Sequence, residues 1–273
     1  MTTIAERDHD RDTDTPAVPE RERHASKRAK ALAYSVHVYT ASGVFFAFLA
    51  ARELLQATCD PRWVFVWLLA TVFVDATDGP LARAWHVKSL AASIDGRTID
   101  DILDYLTFAF LPLLLVYRMG WLPPAVSWTV AVGLLASLLG FASVKAKEED
   151  EGFFRGFPSY WNVYAFYAGL AAIGLDQPLG QWVNAVVLWT LAILTVAPIR
   201  MIYPNLAPKP WKPVVLGGAA AWTIVMLLML PRYPYNAAWL VGLSLLYPAF
   251  YFALSVALDV KSRRRARDTV EAA

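Results

Sequence analysis

The chain has 273 residues and a formal charge of +2, with 57% hydrophobic, 14% aromatic and 18% charged residues. A soluble domain carries about 25% charged residues, so this balance and the long uncharged runs speak against one and for a polytopic helical membrane protein. The near-neutral charge gives no footing to nucleic acid, and the single cysteine, Cys59, excludes an internal disulfide.

Taken in order, residues 1–30 are polar and mixed in charge and lack the apolar core of a signal peptide. They are expected to be a disordered tail whose basic end sits against anionic lipid heads. Eight hydrophobic segments follow, at 33–51, 63–83, 99–117, 125–144, 160–174, 182–199, 214–230 and 237–258. Most approach the ~20 residues of a bilayer-spanning helix, and the fifth is short. The expectation is an all-α fold of about eight transmembrane helices; six spans with two surface helices is the alternative.

Arg83, Lys88, Arg97, Lys145, Lys147, Arg155, Arg200, Lys209, Lys212 and the run from Lys261 to Arg267 fall on one side. Arg52, Arg62, Arg118 and Arg232 fall on the other. The positive-inside rule then puts both termini in the cytoplasm. One membrane domain spans 31–260, and 261–273 forms a basic cytoplasmic tail.

The chemistry concentrates between the second and third segments, in DATDGPLARAWHVKSLAASIDGRTIDDILD. Asp75 and Asp78 are three residues apart, and Asp100 and Asp104 four apart, so each pair shares a helical face. The hairpin brings four carboxylates to one depth near the cytoplasmic surface. They would repel one another, and one or two divalent cations would relieve that repulsion. All-oxygen ligation suits Mg²⁺, Mn²⁺ or Ca²⁺ rather than zinc. Gly79 and Gly96 permit close approach of a bulky ligand, Ala82 keeps the same face open, and Arg83 suits phosphate oxygens. Together these residues read as a metal-dependent nucleotide diphosphate site. Asp101 falls on a different face. A cation transporter lined by these acids is the reading from another class.

The pattern from Asp75, Asp78 and Gly79 through Ala82 and Arg83 to Gly96, Asp100 and Asp104 resembles the signature of the CDP-alcohol phosphotransferases. The twelve residues between Arg83 and Gly96 make a longer gap than many members have. VHVYTASG, DGPLARAWHVK, DILDYLTFAFLP and PSYWNVYAFY further resemble the bacterial phosphatidylcholine synthases. That resemblance implies an enzyme of the bacterial inner membrane, of about eight spans, that joins CDP-diacylglycerol to choline, releases CMP and needs Mn²⁺ or Mg²⁺. Another alcohol (inositol, serine or glycerol phosphate) is the nearest alternative acceptor, and relatives of this fold are often homodimers.

It implies that Asp75, Asp78 and Asp100 hold the metal, with Asp104 sharing that shell or acting as catalytic base. Quaternary ammonium groups are recognised by aromatic faces. The expected acceptor contacts are therefore Tyr34, Tyr105, Tyr160, Trp161 and Tyr164, with His37 and Asn162 as polar candidates.

Overall fold

The computed structural model describes residues 26–143, 147–148 and 153–271, without the side chains of 147, 148, 154, 205 and 265–271. Helix α1 (Lys27–Leu54) opens on Ser26, whose hydroxyl accepts the Ala29 N–H. Its buried stripe of Ala33, Val36, His37, Thr40, Gly43, Ala47 and Ala50 recurs at three- and four-residue steps. Mostly small side chains let its backbone run close along α2 (Pro61–Ala84). Helix α2 starts with Asp60 as cap and Pro61 in the first turn, where the missing N–H costs nothing. The tail expected over 1–30 lies outside the described residues up to residue 25, and Lys27–Lys30 already belong to α1.

A left-handed turn at His86 leads into the short α3 (Val87–Leu90). Helix α4 (Gly96–Asp104) is capped by Asp95, which accepts the N–H groups of Arg97 and Thr98 and the Thr98 hydroxyl. Without a break it passes into a π-helical stretch, Tyr105–Phe110, and then α5 (Leu111–Arg118). The expected third span is thus one rod of roughly 30–35 Å.

A 3₁₀ turn (Pro124–Thr129) and α6 (Val130–Ala142) follow. Strands β1 (Lys147–Glu148) and β2 (Phe153–Arg155) lead to α7 (Trp161–Gly174) and α8 (Leu179–Val196). Then come β3 (Arg200–Ile202), α9 (Lys212–Met229) and α10 (Ala238–Glu271). The strands form a small antiparallel sheet in the order β1-β2-β3, with Phe154 opposite Met201. The sheet is an addition to the all-helical expectation; strand pairings made across long stretches of chain leave no local period.

Among the described residues, six helical stretches are long and apolar enough to cross a bilayer: Lys27–Leu54, Pro61–Ala84, Pro124–Ala142, Leu179–Val196, Lys212–Arg232 and Ala238–Arg264. Phe45, Phe48, Phe73, Leu228 and Trp239 are exposed on them, an outward apolar surface that suits lipid. The other two expected segments are also helical, for different reasons. The rod from Gly96 carries the acids in its first turns. Helix α7, about 21 Å long, is shorter than the ~30 Å hydrocarbon core. It lies at the centre, with Trp161, Tyr164, Ala165, Phe166, Ala168 and Leu170 all buried.

Helices α1, α2 and α4 surround the acids, and β3 with α10 closes the side opposite. The basic run expected as a tail at 261–273 continues α10 as helix to Glu271.

Candidate active site

Asp75 and Asp78 occupy the last three turns of α2, and Asp100 and Asp104 lie on α4. One carboxylate oxygen from each of Asp75, Asp78 and Asp100 lies within 4.8 Å of the other two. Opposite ligands around an octahedral ion with bonds near 2.1 Å stand about 4.2 Å apart. Small rotamer changes would therefore let the three grip one divalent ion, and three hard oxygen donors are the right chemistry for it. Asp78 is buried and hydrogen-bonds the Thr40 hydroxyl and the Gly79 amide, which fixes its carboxylate from behind. Asp104, one turn beyond Asp100, lines the same two hollows as Asp75 and Asp100. Asp101 points elsewhere and pairs with Arg97 at 3.8 Å.

The residues around the acids divide between packing and access. A Cβ on Gly79 would meet the Arg83 guanidinium at an ordinary 3.5 Å, so the exposed Arg83 folds back over Gly79 beside the acids. A Cβ on Gly96 would come within 2.7 Å of the His37 ring. Gly96 is therefore small because α1 presses on α4 there. Ala82 is partly buried and packs against the cluster of Ala33, Val36, Val87 and Ala91. His37 is 6% exposed, with Nε2 3.2 Å from the Ala91 carbonyl, and it ties α1 to the chain between α3 and α4.

On the open side of the acids lies a cavity of about 250 Å³. Asp75, Asp100 and Asp104 form one wall, and the others include Phe108, Phe141, Phe157, Tyr160, Tyr203 and Tyr251. Arg97 is the cation among its described lining residues. Two left-handed residues, Gly156 and Ser159, bend the chain so that Tyr160 enters the cavity just before α7. The Gly156 and Phe157 amides donate to the Ile199 and Leu194 carbonyls, which anchors that bend to the end of α8. A Cβ at Gly156 would strike the Thr195 carbonyl.

The far wall is delivered by β3 and α10. Tyr251 donates its hydroxyl to the Ile202 carbonyl at 2.5 Å, and the Ile202 amide donates to Ser255 Oγ at 3.2 Å. Below them Arg200 Nε meets Asp259 at 2.6 Å and Arg263 Nε meets it at 3.0 Å. The Arg263 guanidinium also donates to the Pro198 carbonyl. This clamp fixes the strand that carries Tyr203 against the helix that carries Tyr251.

Of the expected acceptor contacts, the structure brings Tyr160 to this cavity. Trp161 is 0% exposed, and its Nε1 donates to Ser137 Oγ, which makes it part of the core. Tyr164 is buried and donates to the Asn184 carbonyl. Tyr105 sits one layer back, its hydroxyl toward the Leu134 carbonyl and its ring edge-on to Phe141. Asn162 faces a separate apolar hollow with Phe65, Leu68 and Met226. Tyr34 bonds Ser93 Oγ at 2.6 Å, on the flank of His37. Lys145 lies outside the described residues.

Sequence reading missed Phe108, Phe141, Phe157, Tyr203 and Tyr251. The available signal was Asp259, an acid at the end of the last apolar segment, which asks for a cationic partner and finds Arg200.

Curated relatives named phosphatidylcholine synthase match much of the chain. The Pseudomonas aeruginosa protein is 34% identical over 226 residues, 82% of this chain and 91% of its own length. The Legionella pneumophila protein is 34% identical over 233 residues, 82% of this chain and 87% of its own. The Mesorhizobium japonicum protein is 37% identical over 178 residues, 64% of this chain and 62% of its own length, so this match spans less than two thirds of that relative. No family model matches the chain, and no solved structure does. Identity sustained across nearly the whole Pseudomonas protein, on a helical membrane scaffold that gathers three carboxylates, makes this chain a member of the phosphatidylcholine synthase family.

Proposed function

We propose that the chain transfers a phosphatidyl group from CDP-diacylglycerol to choline, releasing CMP and forming phosphatidylcholine. The reaction takes place at the cytoplasmic face of a bacterial inner membrane, with both termini on that side. The observation that carries the reading is the meeting of Asp75, Asp78 and Asp100 within 4.8 Å, at the edge of a cavity to which six aromatic residues also contribute.

Asp75, Asp78 and Asp100 would hold a divalent ion, Mn²⁺ or Mg²⁺. When bound, it supplies charge neutralisation at the diphosphate. Arg83, whose guanidinium lies over Gly79, would take phosphate oxygens. Asp104 lies on the cavity wall with Asp100 and takes the proton of the choline hydroxyl. The choline oxygen bonds to the phosphorus that bears diacylglycerol, the diphosphate P–O bond breaks, and CMP leaves with the electron pair. Positioning and electrostatics supply most of the rate.

The walls favour this acceptor over an anionic one. Three carboxylates and six aromatic residues line the cavity with Arg97 at its edge, a poor setting for an alcohol that carries its own phosphate.

Purified protein should release CMP from CDP-diacylglycerol with choline, and not with serine, inositol or glycerol phosphate. Mass spectrometry of the lipid product across that panel checks it. Asp78→Asn should abolish transfer while the protein remains folded. Near-normal CMP release by this variant would sink the metal-site assignment.

A further inference from the structure

The acids account for the donor and for the proton, but not for the positive end of the acceptor. A trimethylammonium group has no N–H to donate and is held by ring faces and by oxygen lone pairs, in a site that excludes water. We propose that Tyr160, Tyr203 and Tyr251 form a quaternary-ammonium subsite, assembled from the chain entering α7, the residue after β3, and α10. The inference rests on the choline reading above and gives its acceptor a place.

Four observations support it. First, the three tyrosines and Phe157 line the same cavity as Asp75, Asp100 and Asp104, so a small amino alcohol there has its hydroxyl near the acids and its cation near the rings. Second, Tyr251 has already given its hydroxyl proton to the Ile202 carbonyl. It has no proton left for an acceptor, which suits a group that needs rings and lone pairs and not donors.

Third, of the described cations nearest the rings, Arg200 is paired and Arg97 is largely solvated. Arg200, three residues before Tyr203 at the start of β3, is paired with Asp259 and lies 4.9 Å over the Phe153 ring, held there by its own partners. Arg97, on the same cavity's lining, is largely exposed to solvent and lies 3.8 Å from Asp101. Fourth, the subsite is rigid where it needs to be. The Ser255–Ile202 and Tyr251–Ile202 hydrogen bonds and the Arg200–Asp259–Arg263 clamp hold two remote pieces of chain in register, so little ordering remains for binding to impose.

The test uses full-length protein in nanodiscs with CDP-diacylglycerol and a pair of acceptors of one shape: choline, and its uncharged carbon analogue 3,3-dimethylbutan-1-ol. Tyr203→Leu should raise the KM for choline about tenfold. The KM for CDP-diacylglycerol should stay within about twofold of wild type on the same grounds, because the lipid does not use this ring. The preference for choline over the neutral alcohol should fall by a similar factor, and Tyr203→Phe should restore most of it.

A merely structural role for Tyr203 would weaken both alcohols alike. An unchanged choline preference in Tyr203→Leu, or equal rises in KM for both alcohols, overturns the subsite. Titration of tetramethylammonium bromide into wild type and Tyr203→Leu reads the subsite without turnover. Binding that the substitution removes supports the inference, and binding that it leaves intact overturns it. If wild type binds tetramethylammonium through Tyr203 but releases no CMP with choline, the subsite stands and the proposed reaction falls.

Discussion

Two glycines that look alike in the sequence do different work. Gly96 sits under the His37 ring, and a methyl group there would overlap the ring edge at 2.7 Å. Gly96→Ala should lower stability by about 1–3 kcal/mol, the usual cost of overpacking. Thermal unfolding in detergent measures this, and His37→Ala in the same background should return part of the loss. Gly79 has only the flexible end of Arg83 near it, at 3.5 Å. Gly79→Ala should leave the melting temperature unchanged or slightly higher, since alanine favours a helix. If the proposed diphosphate site borders Gly79, kcat/KM should fall roughly 10–100-fold as the methyl group misplaces the donor. The acids themselves were legible in the sequence because i, i+3 and i, i+4 spacings fix a shared face before any tertiary contact is known. The division between the two glycines was not, because it depends on which neighbour lies across the gap.

Among the elements, the C-terminal helix adds most to what the sequence shows. Its end, expected as a basic cytoplasmic tail, continues as helix, and Asp259 before it answers both Arg200 from β3 and Arg263 one turn on. The two arginines are not equivalent: the Arg200 side chain is 15% exposed and that of Arg263 is 50%. Asp259→Ala takes the carboxylate from the mostly buried Arg200, which keeps the Ser262 hydroxyl, and should cost about 2–4 kcal/mol. Arg263→Ala, which removes the exposed partner, should cost under about 1 kcal/mol. Denaturation of the two variants side by side checks the ratio. Hydropathy placed the helix that carries Tyr251 but not the pairing of that helix with β3. Cross-chain hydrogen bonds such as Tyr251 to Ile202 obey no local period, so a wall built from them is invisible until the chain is folded.

At the scale of the whole molecule, the helical scaffold follows from apolar length, and basic-residue bias gives the proposed orientation. The central place of α7 does not follow from either, because a short apolar run reads the same whether lipid or protein surrounds it. Helix α2 is about 36 Å long and separates Cys59 at one end from Ser93 beyond the other. In sealed vesicles with the periplasmic face outward, an impermeant maleimide should label Cys59. It should not label the thiol that Ser93→Cys introduces in a Cys59→Ala background. Burial, and then the Glu53 carboxylate, push the Cys59 thiol above its ordinary range. The thiol therefore stays protonated at a pH where a free cysteine begins to ionise, and labelling should be slow near neutrality and accelerate as pH rises. The π-helical stretch after Asp104 sets how the acidic end of that rod is oriented against its apolar end. With i→i+5 bonding, each turn there holds more residues than an α-turn. A chain one residue shorter between Asp104 and Leu111 would swing the far half by about 100° around the axis. Leu113, Leu115 and Val116 would then leave the interior they fill completely. Backbone length alone, with no side chain involved, thus keeps the acidic end and the packed end of one rod facing their separate partners.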